Sequence, residues 1–460
     1  MAFQIALSDL VAVTGGTLVD NAGELALSAK FGISTDTRQI SPQDWFLALT
    51  GDRFNGHTFV AQAIAQGAAG VMVQEPVEGQ PRLQVADTLA AYQAIARWWR
   101  RQLATPLVAV TGSVGKTTTK ELIAAALQTQ GPVLKTQANY NNEIGVPKTL
   151  LALTPEHRYG VIEMGMRGTG QIDQLTQIAE PDVAVITNVG TAHIELLGSE
   201  QAIADAKCEL FGGLSPDGIA VLNYDNVRLM QTAGLAWSGQ QITYGLTGGD
   251  VQGKLLNSHE IQVNGVTLPL PLPGQHNAVN FLAAIAVMQA FDLDWQVLQS
   301  GLPVTLPSGR AQRIVLPNDI ELLDETYNAG AESMQAALHL LKQTPGQRHI
   351  AVLGTMKELG DHSVRLHEQV GKCVAQLELD ALLTLADPAE TQALAHGASG
   401  VSMETFDAAP QLVERLKAML QPGDRVLFKA SRAIALDQVV DAVTQALTPQ
   451  EASAGVTESP

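Results

Sequence analysis

The sequence predicts a multidomain α/β protein whose sheets are mostly parallel. Short apolar runs with the character of buried strands alternate with helical segments at regular spacing, which is the pattern of βαβ units. The length of 460 residues suggests about three domains. A hydrophobic content of 46% with 16% charged residues is that of a globular chain with a sizeable core.

The clearest local signal is an apolar strand at residues 107–110 that runs into a glycine-bounded turn and then a helical pattern. The glycines would let backbone N–H groups approach an anion, and the helix N-terminus supplies further donors and a partial positive charge. Here Lys116 would reach the terminal phosphates, and the Thr117 hydroxyl would bind Mg²⁺. We therefore predict a nucleoside triphosphate site formed by Gly112, Ser113, Val114, Gly115, Lys116, Thr117 and Thr118.

The loop departs from the standard phosphate-binding pattern because Val110 stands where the first glycine would fall. The alternative is an ordinary turn between a strand and a helix that happens to contain a lysine. Three consecutive threonines after the Gly-Lys pair favour the phosphate site over that alternative.

Charge and cysteine content argue against several classes of function. A net charge of −18 disfavours nucleic acid or an acidic membrane surface as the main partner. The two cysteines, Cys208 and Cys373, form neither a disulfide framework nor a zinc pattern and fit a reducing compartment. The N-terminus lacks the basic segment of a signal peptide, and the longest apolar run, residues 281–291, is too short to span a bilayer. We expect a cytoplasmic monomer without membrane insertion.

The first 83 residues precede the nucleotide machinery and have their own predicted elements: strands at 45–49 and 70–73 and a helix at 59–69. Two polar clusters, at 34–38 and 51–57, interrupt them. Such clusters are commonly plain turns. The alternative is a binding surface for a charged ligand, and the residues alone do not decide between the two. A helix predicted at 88–102 links this part to the next.

Two titratable side chains stand at the ends of predicted strands near the phosphate loop. Glu163 ends the strand 159–163, and His193 follows the strand 182–187. Ligands of open α/β sheets bind at the carboxyl ends of the strands. Such a residue is commonly structural, so we weigh a structural role equally with a role near the metal and the γ-phosphate.

Lys207 falls on the apolar stripe of a predicted helix, four residues after Ile203 and three before Leu210. A lysine on the buried side of a helix is uncommon unless it is paired or chemically altered. The alternative is a stem packed along apolar surface with its amine at the edge. The helix pattern leaves both interpretations open.

The rest of the chain changes character twice. Residues 219–272 are predicted to be β-rich, a helix opens at Gln275, and residues 305–310 form a linker. An α/β pattern then restarts, with strands at 320–323, 350–353, 381–385 and 425–429 and helices beginning near Ala331, Ser363, Pro410 and Ile434. The polar tail 448–460 is predicted to be disordered.

A series of motifs, in this order and spacing, resembles the Mur ligase family, the ATP-dependent amide-forming enzymes of peptidoglycan precursor synthesis. The resemblance extends from about residue 30 to about residue 445. The segments that carry it are TGSVGKTTTKE at 111–121, NYNNEIGVP at 139–147, EMGM at 163–166, NVGTAH at 188–193, AKCE at 206–209, GQHNAVN at 274–280, GR at 309–310 and YNA at 327–329.

The resemblance implies three α/β domains, with a central P-loop ATPase domain and a C-terminal Rossmann-like domain. We set them at 1–83 for the UDP-muramoyl-peptide-binding domain, 84–307 for the ATP-binding domain and 308–447 for the ligase domain. It also implies the substrates UDP-N-acetylmuramoyl-tripeptide and D-alanyl-D-alanine, joined to give a pentapeptide precursor.

Roles for individual residues follow from the same resemblance. Mg²⁺ would be held by Glu163, His193 and a carbamate that CO₂ forms on Lys207, together with Thr117 of the loop, and Lys116 would act on the phosphates. The other expected contacts are Thr35, Asp36, Arg38, Asn55, Gly56 and His57 with the UDP-muramoyl end; Asn277 and Asn280 with adenine; Arg310 and Glu325 with phosphates and ribose; and Asn141, Asn142, Tyr327 and Asn328 with the peptide substrates.

Five positions depart from the family pattern. Asn55 stands where aspartate is usual before Gly-His, and Glu325 replaces the second aspartate of Asp-Asp-Ser-Tyr-Asn. Gly330, Thr355 and Ala430 replace an asparagine, an aspartate and a glycine. Four of the five positions lie in the predicted C-terminal domain.

The implied chemistry requires activation of a carboxylate, because its oxide is too poor a leaving group for direct attack by an amine. Phosphorylation by ATP gives an acyl phosphate, and the charge on the transferring group must be spread over Mg²⁺, Lys116 and backbone N–H groups. Closure of the domains must exclude water.

Three alternatives remain. The nearest is another Mur ligase that adds a single amino acid, such as the one that adds the third residue, whose Asp-Asn-Pro-Arg signature is absent here. Folylpolyglutamate synthases lack a separate module of this kind before the phosphate loop. A P-loop protein that only switches conformation with its nucleotide would hydrolyse ATP without forming an amide.

Overall fold

The computed structural model describes residues 3–19, 26–51, 54–77 and 81–448, which form an α/β structure. Contacts divide the chain into a first unit (Met1–Asn188, Ala204–Gln252 and Phe281–Leu298) and a second unit (Val189–Ile203, Gly253–Asn280 and Gln299–Pro460). Residues 449–460 of the predicted tail, and Asp52 and Arg53 of the second polar cluster, lie outside the described residues. The domain borders at residues 83 and 307 stay predictions.

The N-terminal part of the first unit contains a five-stranded sheet. The elements of this N-terminal part are β1 Ile5–Ala6, α1 Leu7–Thr14, β2 Thr17–Val19, β3 Lys30–Phe31, β4 Ile33–Ser34, β5 Trp45–Leu47, β6 Thr50–Gly51, β7 Phe54–Asn55, α2 Val60–Ala65, β8 Gly70–Val73, β9 Arg82–Gln84 and α3 Thr88–Arg101. The strand order is β2-β9-β8-β5-β4, and only β2 is antiparallel to its neighbour. Successive residues of β5 point to opposite faces, so Trp45 and Leu47 pack into one apolar cluster and Phe46 into another.

The remainder of the first unit is built on a parallel sheet. Its elements are β10 Leu107–Thr111, α4 Lys116–Gln128, β11 Val133–Lys135, α5 Gly145–Leu151, β12 Tyr159–Glu163, α6 Gln171–Ala179, β13 Val183–Ile186, β14 Ile219–Asn223, α9 Val227–Ala236 and β15 Gln240–Gly245. Two further helices, α7 Ile194–Leu197 and α8 Glu200–Cys208, lie between β13 and β14 in the chain. The order is β11-β12-β10-β13-β14-β15, and β10 lies between β12 and β13 with every residue buried. This central position brings the loop after β10 to the carboxyl edge of the sheet, where ligands bind.

An ion pair anchors the start of β10. Arg100 of α3 donates to the Asp182 carboxylate at 3.1 Å, and the same Oδ2 accepts from the backbone of Leu107 at 2.8 Å. Arg100 also donates to the carbonyl of Ala179 at 3.0 Å. The helix that precedes the sheet therefore fixes the strand that leads into the phosphate loop.

The segment 219–272 is rich in strands, as predicted, but it also contains the ten-residue helix α9, which was not predicted. Asn226 caps the helix by accepting a hydrogen bond from the Leu229 N–H at 2.9 Å. Val227 and Leu235 are 67% and 92% exposed, while Leu229 and Ala233 are buried. Because apolar residues lie on both faces of α9, the sequence lacks the alternation of polar and apolar residues that marks an amphipathic helix.

The second unit contains an antiparallel ribbon and a six-stranded sheet. Its remaining elements, some shared with the first unit, are β16 Val251–Leu255, β17 Glu260–Val263, β18 Val266–Pro269, α10 Gln275–Ala290, β19 Gln312–Leu316, β20 Ile320–Asp324, α11 Ala331–Gln343, β21 Arg348–Gly354, α12 Ser363–Gln376, β22 Ala381–Leu385, α13 Pro388–Gly397, β23 Ser402–Thr405, α14 Ala409–Met419, β24 Asp424–Lys429 and α15 Leu436–Leu447. The sheet order is β19-β20-β24-β21-β22-β23, and only β19 is antiparallel. The four strands predicted here are present, whereas β19, β23 and α13 were not predicted.

Candidate functional site

The turn between β10 and α4 has the backbone of a phosphate loop. Gly112 has φ +154° and Gly115 has φ +81°, conformations that favour glycine. A Cβ atom at Gly112 would lie 1.9 Å from Oγ1 of Thr187, so a side chain cannot be accommodated there. The two predicted glycines are thus required by conformation and by close packing.

Residues at the end of β13 brace this loop. The Val114 N–H donates to Oδ1 of Asn188 at 2.9 Å, and Nδ2 of Asn188 donates back to the Val114 carbonyl at 3.0 Å. The Thr187 hydroxyl donates to the same carbonyl at 2.7 Å. The loop is therefore held open by neighbouring side chains before any anion binds, which is the preorganisation that a phosphate site needs.

Lys116 lies over the loop that it follows. Its ammonium donates to the carbonyl of Gly112 at 2.7 Å and to that of Ser113 at 3.3 Å. Thr117, in the first turn of α4, is 4% exposed, and Thr118 is partly buried. The predicted loop residues are brought together, with a cation and a helix N-terminus at one place.

Glu163 ends β12 beside the loop-bearing strand, because β10 and β12 are paired with Val110 opposite Glu163. Its backbone N–H donates to the Thr136 hydroxyl at 2.9 Å, and Oε1 accepts from the Asn141 amide at 2.8 Å. Oε2 is buried and has no hydrogen-bond partner in the part of the chain that the structure describes. Buried carboxylate oxygens are normally satisfied, so an unsatisfied one suits a cation.

Sequence reasoning missed Lys120, which is fully buried on α4, one turn after Lys116. Its ammonium donates to the Thr136 carbonyl at 2.7 Å and lies 3.1 Å from Oε1 of Glu121 and 3.9 Å from Oε2 of Glu163. The signal was available: the helix is apolar on several faces from Leu122 onward, so a lysine one turn after Lys116 had little chance of reaching solvent.

Lys207 of α8 is 1% exposed, which settles the predicted alternatives in favour of a buried side chain. Burial is the main reason that its pKa is well below the usual value, and the nearby Lys116 ammonium lowers the pKa further. The neutral amine is therefore favoured, and a neutral amine is nucleophilic.

His193 belongs to the second unit, where a carboxylate faces it. Its Nδ1 lies 2.6 Å from Oε2 of Glu358, close enough for an ion pair but without the alignment of a hydrogen bond. Both residues have positive φ angles, +64° and +63°. Two residues before His193, the Thr191 backbone and hydroxyl donate to the two oxygens of Glu332 at 2.7 and 3.1 Å. Carboxylates thus hold the segment that carries the histidine.

Two asparagines predicted to contact adenine lie on α10. Asn277 is 3% exposed and donates to the Pro273 carbonyl at 2.7 Å, which fixes the helix start. Asn280, one turn later, is 9% exposed. The structure shows a hydrogen bond of Asn277 to the segment before the helix, and its contact with a base stays a prediction.

A second cluster joins residues predicted to contact the phosphates, the ribose and the peptide. The Arg310 guanidinium stacks on the Tyr327 ring with 3.8 Å between the guanidinium carbon and the ring centre. The buried Lys429 ammonium donates to the Asn328 carbonyl at 2.9 Å and lies 3.8 Å from Oε2 of Glu325. Nε of Arg310 is buried without a hydrogen-bond partner among the described residues.

The first N-terminal polar cluster is a turn closed by an ion pair. Nη2 and Nε of Arg38 donate to the two oxygens of Asp36 at 2.7 and 2.9 Å, and this pairing lowers the pKa of Asp36 to about 2. Thr35 is partly buried beside the Ser34 hydroxyl, which accepts from the Asp36 N–H at 3.2 Å. The Arg38 side chain is 83% exposed.

The second polar cluster has a structural centre, His57. Nε2 accepts from the backbone N–H groups of Gln74 and Glu75 at 3.0 and 3.2 Å, so the ring proton is on Nδ1, which donates to Oδ1 of Asn55 at 2.8 Å. Burial lowers the pKa of His57, in agreement with a neutral ring. Gly56 is required because a Cβ there would lie 2.6 Å from the Leu49 carbonyl oxygen.

Asn141 and Asn142 were predicted to contact the peptide substrates, and the structure shows other partners for both. Asn141 donates to Glu163, as described above, and Oδ1 of Asn142 accepts from the Gly145 N–H at 2.9 Å, at the start of α5. Their contacts with substrate stay predictions.

The chemistry available in the first unit is that of anion binding beside a site for a cation. The loop offers backbone donors and Lys116, and Glu163 offers an unsatisfied carboxylate oxygen. Within the described ranges, three or more His, Cys, Asp or Glu side chains do not gather as they would around a transition metal. This donor set fits Mg²⁺, which keeps several waters and takes few protein oxygens. In the same ranges no helix is long and apolar enough to cross a membrane.

Models of one protein family match most of the chain. The Mur ligase family catalytic domain matches residues 31–136, the Mur ligase middle domain 110–288, and the Mur ligase glutamate ligase domain 309–432. The middle-domain match contains the phosphate loop, Glu163, His193 and Lys207.

Curated relatives and solved structures agree with these matches. The UDP-N-acetylmuramoyl-tripeptide–D-alanyl-D-alanine ligase of Synechocystis is 56% identical over 89% of this chain and 90% of its own length. The enzyme of the same name from Escherichia coli is 35% identical over 96% and 98%. Crystal structures of MurF superpose well: that from Acinetobacter baumannii has a TM-score of 0.88 at 32% identity over 96% and 99%, and that from Thermotoga maritima, in complex with ADP, 0.82 at 29% over 90% and 97%.

Proposed function

The chain belongs to the Mur ligase family, and we propose that it joins D-alanyl-D-alanine to UDP-N-acetylmuramoyl-tripeptide, with conversion of ATP to ADP and phosphate. The product is the UDP-muramoyl-pentapeptide of peptidoglycan precursor synthesis. The observation that carries the proposal is the braced phosphate loop next to the unsatisfied oxygen of Glu163, in a chain 56% identical to a ligase of this name.

The first step moves the γ-phosphoryl group to the substrate carboxylate. The bond between the γ-phosphorus and the bridging oxygen breaks, a bond to the carboxylate oxygen forms, and ADP leaves with the electron pair. Negative charge spreads over the transferring oxygens, and we assign Lys116 and the loop N–H groups to stabilise it. In this role the Lys116 ammonium donates hydrogen bonds to phosphate oxygens in place of those it now donates to the loop carbonyls.

The second step forms the amide. The amine lone pair of the dipeptide attacks the acyl carbon, the tetrahedral intermediate collapses, phosphate leaves, and the nitrogen gives up a proton. We assign Tyr327 and Asn328 to the dipeptide and Arg310 to a phosphate, because the guanidinium stacked on Tyr327 keeps Nε without a partner among the described residues. Arg310 thereby links nucleotide and amine recognition in one cluster.

Magnesium fits the residues of this site. Glu163 and Thr117 would hold it in the first unit, and His193 is the further ligand that we propose. When bound, the ion supplies charge neutralisation to the phosphates.

We also propose that CO₂ carbamylates Lys207. The amine lone pair attacks the carbon of CO₂, an N–C bond forms while one C=O π bond breaks with its electron pair moving to oxygen, and one N–H proton is released to solvent. Burial and the Lys116 charge lower the pKa of Lys207, which favours the neutral amine that this attack requires. The carbamate replaces a disfavoured ammonium with an anion whose charge Lys116 balances and whose oxygens suit Mg²⁺.

Cytoplasmic location is part of the proposal. ATP and UDP-linked precursors are available there, and the free thiols of Cys208 and Cys373 are compatible with a reducing compartment.

The decisive experiment measures ADP release by purified protein with UDP-muramoyl-tripeptide and a panel of amines. D-alanyl-D-alanine should give the fastest turnover and a product with the mass of the pentapeptide. Equal or faster turnover with free D-alanine or L-lysine would assign the chain to another activity in the family. ATP hydrolysis without any amide product would favour a nucleotide switch.

A further inference from the structure

Lys120 is a buried cation placed against the carboxylate that we assign to the metal. It is 0% exposed, although lysine is rarely buried without a function or a partner. Lys120 is not among the catalytic residues predicted from the sequence, and neither phosphoryl transfer nor amide formation uses it.

The contacts of Lys120 converge on Glu163 by two routes. Directly, its ammonium lies 3.9 Å from Oε2 of Glu163, near enough to attract it but too far for a hydrogen bond. Indirectly, it donates to the Thr136 carbonyl at 2.7 Å, and the Thr136 hydroxyl accepts from the Glu163 N–H at 2.9 Å. Backbone and carboxylate of the same residue are thus both tied to one lysine.

The remaining partner, Glu121, balances the charge of this lysine. Oε1 of Glu121 lies 3.1 Å from the Lys120 ammonium, and its other oxygen pairs with Lys135, whose side chain is 36% exposed. With its charge largely offset by Glu121, Lys120 repels a neighbouring cation only weakly, so its effect on geometry is expected to prevail. Without Lys120, the Glu121 and Glu163 carboxylates would face each other in a buried space, and like charges would separate.

We propose that Lys120 is a positioning residue that fixes the Glu163 carboxylate for Mg²⁺ while leaving Oε2 free to bind it. This inference rests on the proposed nucleotide and metal site. The pair Lys120–Glu121 would act as a neutral brace between α4, which begins with the phosphate-binding lysine, and the end of β12. Phosphate and metal would thereby be held in a fixed relation by a single helix turn.

The test is Mn²⁺ binding, measured by electron paramagnetic resonance on the enzyme–ADP complex of Lys120→Met, which keeps the length of the side chain and removes its charge. Binding should weaken about tenfold, the usual effect of losing a group that orients a metal ligand. ADP binding measured without metal should not change, because the loop and Lys116 are intact. Unchanged or tighter Mn²⁺ binding would overturn the proposal.

Lys135→Met is the matched control, since it removes the same charge from the outer side of Glu121. It should leave Mn²⁺ binding at the wild-type level, and a loss equal to that of Lys120→Met would show that only the charge balance at Glu121 matters. If Lys120→Met fails to fold, Lys120→Met with Glu121→Gln removes both charges; it should still bind Mn²⁺ weakly, and normal binding would refute the positioning role. Failure of the wild-type ADP complex to bind Mn²⁺ would instead reject the proposed site itself.

Discussion

The side-chain amide of Asn141 donates a 2.8 Å hydrogen bond to Oε1 of Glu163 and thereby determines which oxygen of that carboxylate is left for a cation. A carboxylate only accepts hydrogen bonds, so the amide nitrogen must face it. With Oε1 engaged, Oε2 remains as the buried oxygen without a hydrogen-bond partner in the described structure. One asparagine thus sets the direction of the proposed metal ligand.

Asn141→Ala should raise the Mg²⁺ concentration needed for half-maximal ADP release by about tenfold, because the Glu163 carboxylate would lose its orientation. The measurement is a Mg²⁺ titration at saturating substrates. Asn142→Ala is the control, since Asn142 caps α5 and does not contact Glu163 in the structure as described. An unchanged Mg²⁺ dependence of Asn141→Ala would contradict this role.

Lys116→Ala should reduce the rate of pentapeptide formation at least about a hundredfold, as expected when a strong donor to transition-state charge is removed. The fold should persist, because the ammonium bonds to loop carbonyls rather than filling the core. Single-turnover kinetics would measure the chemical step, and circular dichroism would verify the fold. Full ligase activity would show that the loop does not bind the phosphates.

Lys207→Ala should lose activity, and short carboxylates such as acetate should restore part of it by supplying the oxygens of the missing carbamate. The variant removes a buried side chain, so its unfolding must be monitored alongside. Labelling of wild-type protein with ¹³CO₂ should give a carbamate signal that the variant lacks. A fully active alanine variant would refute the carbamate.

Glu358→Ala should lower kcat/KM for ATP about tenfold, because a carboxylate next to one nitrogen of a histidine orients the other nitrogen toward its ligand. Glu358→Gln should retain more activity, since the amide keeps an oxygen next to Nδ1 of His193. Steady-state kinetics at several Mg²⁺ concentrations would compare the two. Equal activity of both variants and wild type would show that His193 needs no such partner.

His367 should make the protein less stable as the pH falls below the unfolded histidine pKa of about 6.5. It is fully buried, accepts from the Met356 N–H at 2.9 Å, and burial lowers its pKa in the folded state. Between the two pKa values the unfolded chain binds a proton that the folded protein does not, so acid favours unfolding. Urea unfolding at pH 7 and pH 5 should show a smaller pH dependence for His367→Gln, and an identical pH dependence would contradict the assignment.

Local patterns predicted most of the central architecture correctly. The strand at 107–110, the glycine turn and the helix after it follow from neighbouring residues alone, and the structure has β10 and α4 there. The conformation of Gly112 likewise agrees with its predicted place in the turn.

Contacts between distant residues were beyond that kind of reasoning. The helix pattern indicates that Lys120 is buried, but its partners Thr136 and Glu163 are 16 and 43 positions away, and no local period reveals them. Asn55 and His57 show a different limit of sequence patterns. Residues predicted to bind the substrate also form the hydrogen bonds of a turn, one of which joins His57 to the Gln74 N–H. Helix α9 was missed because its outer face carries Val227 and Leu235.

The two compact units are interleaved along the chain, and each consists of three separate stretches. A ribosome adding residues from the N-terminus starts the second unit at Val189 and finishes the first only at Leu298. A nascent chain that ends between these positions therefore contains both units in part and neither in full. For the same reason, recombination that exchanges one continuous gene segment covering Val189–Leu298 would replace parts of both units at once.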